Sequence, residues 1–190
     1  MATVLETPRL RLRELSLDDL DAVAAMLADP EVMRYWPRPL TRDEAADWIR
    51  RQLDRYDASG HGYWLAECKD TGVPVGQYGL LPPGPEMQAE GLDGPNLGYM
   101  THRPYWRRGY ALEAAAACRD RALDRPGRAP LFCLVRPENG PSRAVARALG
   151  LTLEPGRRVV LAGFEHEVYL ATRGEGRGQR AEDRWLRTDG

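Results

Sequence analysis

From Leu97 to Ala117 the chain reads LGYMTHRPYWRRGYALEAAAA, a strand-like run that leads almost without a linker into an alanine-rich segment that is comfortable only as a helix. Helix starts ordinarily carry Ser, Thr, Asp or Asn, whose side-chain oxygen accepts the orphan backbone N–H groups of the first turn. Arg107, Arg108 and Gly109 stand there instead. The N–H groups are thereby left for another acceptor, and an open helix N-terminus attracts an anion. The question this junction raises is which anion.

The elements around it define a class of fold. LRLREL, Leu10 to Leu15, alternates as a first strand with one buried face, and Ser16 can cap a helix with Leu17, Leu20, Val23, Ala24 and Leu27 as its apolar stripe. DPEVMRYWPRPL is a loop rich in proline and aromatics, after which Thr41 and Glu44 form a capping box for a helix burying Ala45, Trp48, Ile49, Leu53 and Tyr56. GYWLAEC and VPVGQYGLL pair as a hairpin through KDTG, with Gly72 at the turn. PPGPEMQAEGLDGP reads as a flexible connection to the strand Leu97–His102. The uncapped helix then spans Tyr110 to Leu123 and ends at RPGR, PLFCLV suits a central strand, and a helix runs from Pro141 to Gly150. Two last strands, Val159–Ala162 and Glu167–Ala171, turn through Gly163. This order predicts an α/β domain with a mixed sheet over residues 1–172, followed by a polar, flexible tail over 173–190.

Composition narrows the functions. With 43% hydrophobic residues in 190, the chain can bury one sizeable core. A net charge of −1 and a pI near 6.3 argue against a nucleic-acid binder. Neither a long apolar run nor a signal segment is seen, so no membrane association and a cytoplasmic location are expected. Cys68, Cys118 and Cys133 are widely spaced and read as buried thiols, and the histidines form no metal-ligand pattern, so no metal is expected. Dinucleotide and P-loop glycine signatures are absent.

Taken together, TPRLRLREL, DPEVMRYW, TGVPVGQYGL, LGYMTHRPYWRRGYALEA and NGPSRAVARALGL resemble the GNAT superfamily of N-acetyltransferases, most closely its RimJ/RimL-like branch of ribosomal-protein N-terminal acetyltransferases, over residues 5 to 172. The resemblance implies a mostly antiparallel central sheet flanked by helices, with a splayed strand pair holding acyl-CoA. It also names the anion, as the pyrophosphate of acetyl-CoA. The family's Q/R-x-x-G-x-G/A pattern falls on Trp106 to Ala111, with Arg107, Arg108, Gly109, Tyr110, Ala111 and Leu112 expected to bind it. Trp106 departs from the first slot and removes a polar contact, so Arg107 or Arg108 would supply affinity. Gly109 allows the backbone close to phosphate, where successive N–H groups converge. Met100 and Thr101 would offer backbone groups to pantetheine, Asn139 would hold its arm, and Ser142 would lie near the thioester sulfur. The family often has a tyrosine acid four residues after this serine. Here that position is Ala146, so Ser142, or a water it holds, is expected to supply the proton.

The implied reaction is attack of a neutral amine on the thioester. An α-amine with pKa about 7.7–8.0 is roughly a tenth neutral at pH 7, whereas a lysine amine near 10.4 costs about 4.6 kcal/mol to deprotonate. Glu113, Glu67 and His102 are possible bases, each as easily an ordinary structural residue. For the acceptor, the resemblance points to Glu31, Tyr35 and Trp36 with Glu165 and His166, carboxylates and aromatics that suit a cation. A protein N-terminus, a small-molecule amine, a homodimer, a non-catalytic acyl-CoA sensor and a longer acyl group such as succinyl all stay open.

Overall fold

The computed structural model describes residues 3–124 and 129–171, so the expected tail and the RPGR segment lie outside the described residues. Among these residues eight strands make one sheet: β1 (Thr3–Glu6), β2 (Leu10–Arg13), β3 (Tyr63–Cys68), β4 (Pro74–Leu81), β5 (Asn96–Thr101), β6 (Leu131–Val135), β7 (Thr152–Leu161) and β8 (Phe164–Ala171). The spatial order is β1-β2-β3-β4-β5-β6-β8-β7, antiparallel except where β5 meets β6. Among the described residues five α-helices cover it: α1 (Leu20–Leu27), α2 (Arg42–Ser59), α3 (Pro85–Ala89), α4 (Tyr110–Leu123) and α5 (Gly140–Ala148).

Strand alternation divides the core between the two faces of the sheet. On β3, Trp64 and Ala66 join Ala114, Ala115, Cys118 and Ala146 of α4 and α5, while Tyr63 and Leu65 join Val23, Leu27, Trp48 and Ile49 of α1 and α2. The alanines let α4 lie close against the sheet. Its bounds, Tyr110 to Leu123, are those the sequence predicts. The capping box of α2 forms as expected, with Thr41 Oγ1 accepting from Glu44 N–H and the Glu44 carboxylate accepting from Thr41 N–H.

Several expectations are corrected. β1 is an added edge strand, four residues long with no alternating burial pattern, which hid it ahead of the Pro8 turn. Leu17 is exposed rather than part of the α1 stripe, because residues 17–19 form a tight 3-10 turn before α1 begins. The connection after β4 contains α3, begun by Pro85 at its first position. β7 starts at Thr152 because Pro155 and Gly156, which look like strand breakers, sit in a register shift between Leu153 and Arg158. Positive φ at Ala162 and Gly163 closes the β7–β8 hairpin. Cys118 and Cys133 are buried, but Cys68 is only half-buried at the end of β3.

Candidate active site

β5 and β6 pair at only one register position, Asn96 with Phe132, and then part. Where they diverge, a cavity of about 480 Å³ opens, lined from three directions. The β5 end contributes Tyr99, Met100 and Thr101; the following turn and α4 contribute Tyr105, Trp106, Arg107, Gly109, Tyr110, Ala111 and Leu112. Asn139, Pro141, Ser142 and Val145 come from the start of α5, and Glu31, Val32, Tyr35 and Trp36 from the loop between α1 and α2. Tyr99 and Thr101 point to the α4–α5 face, while Met100 packs with the α1–α2 core. The cavity therefore passes the open sheet edge and reaches both faces.

Backbone direction along β5 refines the expected pantetheine contacts. Pro95 O accepts from Phe132 N–H at 3.1 Å, so by alternation the main-chain groups of Leu97, Tyr99 and Thr101 face the β6 side. The Met100 carbonyl faces β4 instead, where a Cβ on Gly76 would stand only 2.4 Å from it. Met100 thus lines the cavity with its side chain. At the strand's end the Thr101 carbonyl is already engaged, accepting from Trp106 Nε1 at 2.7 Å. The residue that replaces the family's polar first slot ties the turn to the strand.

The turn itself needs unusual backbone. Arg107 has φ +59° and Gly109 φ +76°, and no side chain caps α4. Arg9, a century of residues upstream, braces this geometry: its Nη1 donates to Arg108 O at 3.0 Å, its Nε to Glu113 Oε2 at 2.6 Å, and its guanidinium lies 4.6 Å over the Tyr110 ring. Glu113 is buried and also accepts from Thr7 Oγ1 and Arg9 N–H, so this carboxylate anchors β2's entry to α4 and does not line the cavity. Glu67 is similarly spent on Arg13 at 2.6 Å. His102 is not a lining residue, and burial lowers its pKa. Among the described lining residues, Glu31 is the only carboxylate.

At the α5 start, Asn139 Oδ1 accepts from Ser142 N–H at 3.1 Å, which uses its carbonyl as a cap and leaves its amide as a donor. Ser142 Oγ donates to Tyr99 Oη at 3.0 Å, and the Tyr99 hydroxyl donates to Ser142 O at 2.9 Å. Burial pushes the Tyr99 phenol well above its ordinary range. Ala146 is fully buried in the core, so the empty acid slot is packed with protein.

On the acceptor side, Trp36 stands edge-on to Trp48 at 5.6 Å, and Trp48 Nε1 donates to buried Gln77 at 2.9 Å. The loop is tied by Asp29 to Arg103 at 2.8 Å and by Arg136 Nη1 to Tyr35 O at 3.4 Å. Three residues expected to contact a ligand, Arg108, Glu165 and His166, are not brought into the lining. Glu165 is exposed on β8, and the Arg136 guanidinium, 4.0 Å over Phe164, occupies the approach between that hairpin and the loop. The Arg108 side chain lies over the Tyr105 ring at 5.5 Å, outside the lining. His166 is held by its contact with Phe164 O. Sequence reasoning missed Val32, Tyr99, Tyr105, Pro141 and Val145; a tyrosine on the strand expected to splay was the available signal for Tyr99.

Comparison with known proteins agrees with this geometry. Residues 9–152 match the model of the Acetyltransferase (GNAT) domain. The Bacillus subtilis (strain 168) protein YkkB is 33% identical over 150 residues, covering 78% of this chain and 85% of its own. An acetyltransferase structure from Agrobacterium tumefaciens str. C58 superposes with a TM-score of 0.74 at 30% identity, covering 90% and 95% of the two chains. RimL, a ribosomal alpha-N-protein acetyltransferase in complex with coenzyme A, superposes at 0.69 over 89% of this chain and 96% of its own; at 16% identity this is a likeness of fold.

Proposed function

The chain belongs to the GNAT acetyltransferases, and from that premise we propose that it transfers acetyl from acetyl-CoA to a primary amine by direct attack. The observation that carries the reading is the meeting, at one cavity, of a parted strand pair and a helix start with no side-chain cap. The residues fit the cosubstrate. Gly109, at positive φ and without Cβ, leaves the first turn of α4 open to a pyrophosphate, with Arg107 beside it. The Tyr99 backbone groups and the Thr101 N–H at the open edge suit the pantetheine amides, which would add to β5 like a strand, and the Asn139 amide remains as a further donor. Acetyl-CoA supplies the acyl group as a thioester.

The protein's own part is to orient and to keep charges apart. Glu31 with Tyr35 and Trp36 suits an incoming cationic amine, which must lose a proton before it attacks. Glu31, the one carboxylate among the described lining residues, is exposed to solvent. Weak base assistance favours an acceptor with a low amine pKa, an α-amine above a lysine side chain. The buried Ala146 supports a second reading, a sensor that binds acyl-CoA without turnover.

Melting with acetyl-CoA, succinyl-CoA and free CoA tests the first step, since a ligand at 100 times its Kd adds about 2.7 kcal/mol. A clear rise is expected with acetyl-CoA; no rise with any of the three refutes the cosubstrate. Thiol release is then followed with peptides bearing a free N-terminus, blocked lysine peptides and polyamines. Release with free N-termini is expected, and release with none of them favours the sensor.

A further inference from the structure

The hydroxyl of Tyr99 is held on the cavity wall by three contacts. It accepts from Ser142 Oγ at 3.0 Å, donates to Ser142 O at 2.9 Å, and accepts from Cys133 Sγ at 3.6 Å. Both Tyr99 and Ser142 line the cavity. Their elements approach from opposite walls, β5 and α5, so two hydroxyls meet where the sheet parts. Building on the acetyltransferase reading, we propose that Tyr99 is a positioning residue for Ser142, and that the two act as one hydroxyl pair that stabilises the coenzyme A thiolate as it leaves.

The hydrogen-bond directions explain why the pair is needed. As the side chains rest, the Ser142 proton is turned to Tyr99 and is not offered to the cavity. Two hydroxyls 3.0 Å apart can exchange donor and acceptor roles by rotation alone. When charge develops on sulfur, Ser142 Oγ–H turns towards it, and Tyr99 Oη–H turns from the Ser142 carbonyl to Ser142 Oγ. The carbonyl loses little, because a residue inside a helix also accepts from the helix's own ladder. Polarised in series, the two bonds strengthen one another.

The proton balance closes without ionising either hydroxyl. The C–N bond forms as the C–S bond breaks with its electron pair on sulfur; the nitrogen gives its extra proton to solvent water, and the thiolate held by the pair takes one from solvent. The groups facing Tyr99 are Cys133 of β6, Ser142 of α5 and Tyr169 of β8, and none carries positive charge that would favour a phenolate. Burial raises the Tyr99 phenol, and it holds the Cys133 thiol up at about 12, so both stay protonated across the working range. A neutral Tyr99 suits the task of donor and holder rather than of net acid. It is a hydroxyl in the site that owes nothing to the slot Ala146 leaves empty.

The test reads the thiol of bound CoA directly, by the ultraviolet absorbance of its thiolate against pH, with no acceptor amine required. Bound to the wild-type protein, CoA is expected to ionise at a pH about 1 below free CoA. In Ser142→Ala and in Tyr99→Phe the value should return towards that of free CoA, while melting stays near wild type. Turnover, with whichever amine the screen finds, gives a second readout. Tyr99→Phe should lower kcat about ten- to a hundredfold with the KM for acetyl-CoA unchanged, and the double variant should be no slower than Ser142→Ala alone. Wild-type bound CoA that titrates like free CoA overturns the pair, as does a Tyr99→Phe protein that keeps the wild-type titration, or losses that multiply in the double variant. If CoA does not bind at all, the acetyltransferase reading falls first and this one with it. Binding with an unshifted thiol removes only this one.

Discussion

At Gly109 the backbone stands at φ +76°, which a side chain of L configuration adopts at a cost of about 1–2 kcal/mol, and a Cβ there would meet Arg9 Nη2 at 3.3 Å. Any side chain also intrudes on the open first turn of α4. Gly109→Glu adds a negative charge where a pyrophosphate is proposed to sit, and the melting rise with acetyl-CoA should vanish while the unliganded protein melts only slightly lower. Unaltered affinity in that variant would place the pyrophosphate elsewhere. Arg107, also at positive φ without being glycine, pays a similar local cost on the same turn. A strained Arg107 two residues before a left-handed glycine is what a loop shaped for a ligand rather than for stability looks like.

Among the elements, the junction between β2, β3 and the entry to α1 rests on one guanidinium. Arg13 bonds Asp19 through both carboxylate oxygens, at 2.8 and 2.7 Å, and Glu67 at 2.6 and 2.9 Å. Burial alone would raise the Asp19 carboxyl, but Arg13 and the Ser16 N–H hold it below its ordinary value. A depressed folded pKa means stability that is present above the unfolded value, about 3.9, and lost as pH falls through the folded one. Asp19→Asn should therefore cost about 1.5–3 kcal/mol at neutral pH. Thermal unfolding followed from pH 7 downwards should show the gap to wild type closing below about pH 3.9, and a gap independent of pH would mean that packing, not charge, carries the junction.

For the whole molecule, the parted strands create a passage that joins the two faces of one sheet. The α4–α5 side holds the groups proposed for the cosubstrate, and the α1–α2 loop brings Glu31, Tyr35 and Trp36 to the other end. Substitutions should divide accordingly. Glu31→Gln and Trp36→Ala are expected to raise the KM of the amine about tenfold, as loss of a cation contact would, and to leave the KM of acetyl-CoA unaltered. Steady-state kinetics with each substrate varied in turn checks this, and a parallel rise in both constants would mean that the loop supports the fold of the whole cavity.

How much of this was legible follows from the range of the interactions. The bounds of α4, the Thr41–Glu44 box, the Gly72 turn, the Asn139 cap and the RRGYA junction are local, set by propensity, φ and side chains within a few residues, and the sequence alone determined them. Resemblance added the splay and the cosubstrate proposed for it. Edge strand β1 and the irregular β7 escaped, because one is too short for a period and the other carries Pro155 and Gly156 in a bulge. Only the tertiary structure could decide which residues meet across the sheet. Tyr99 finds Ser142 across 43 positions and Arg9 finds Glu113 across 104, while Glu165 and the Arg108 side chain are turned elsewhere. Local chemistry writes the helix start; where the strands part, and what then faces the gap, depends on packing between segments that carry no mark of one another.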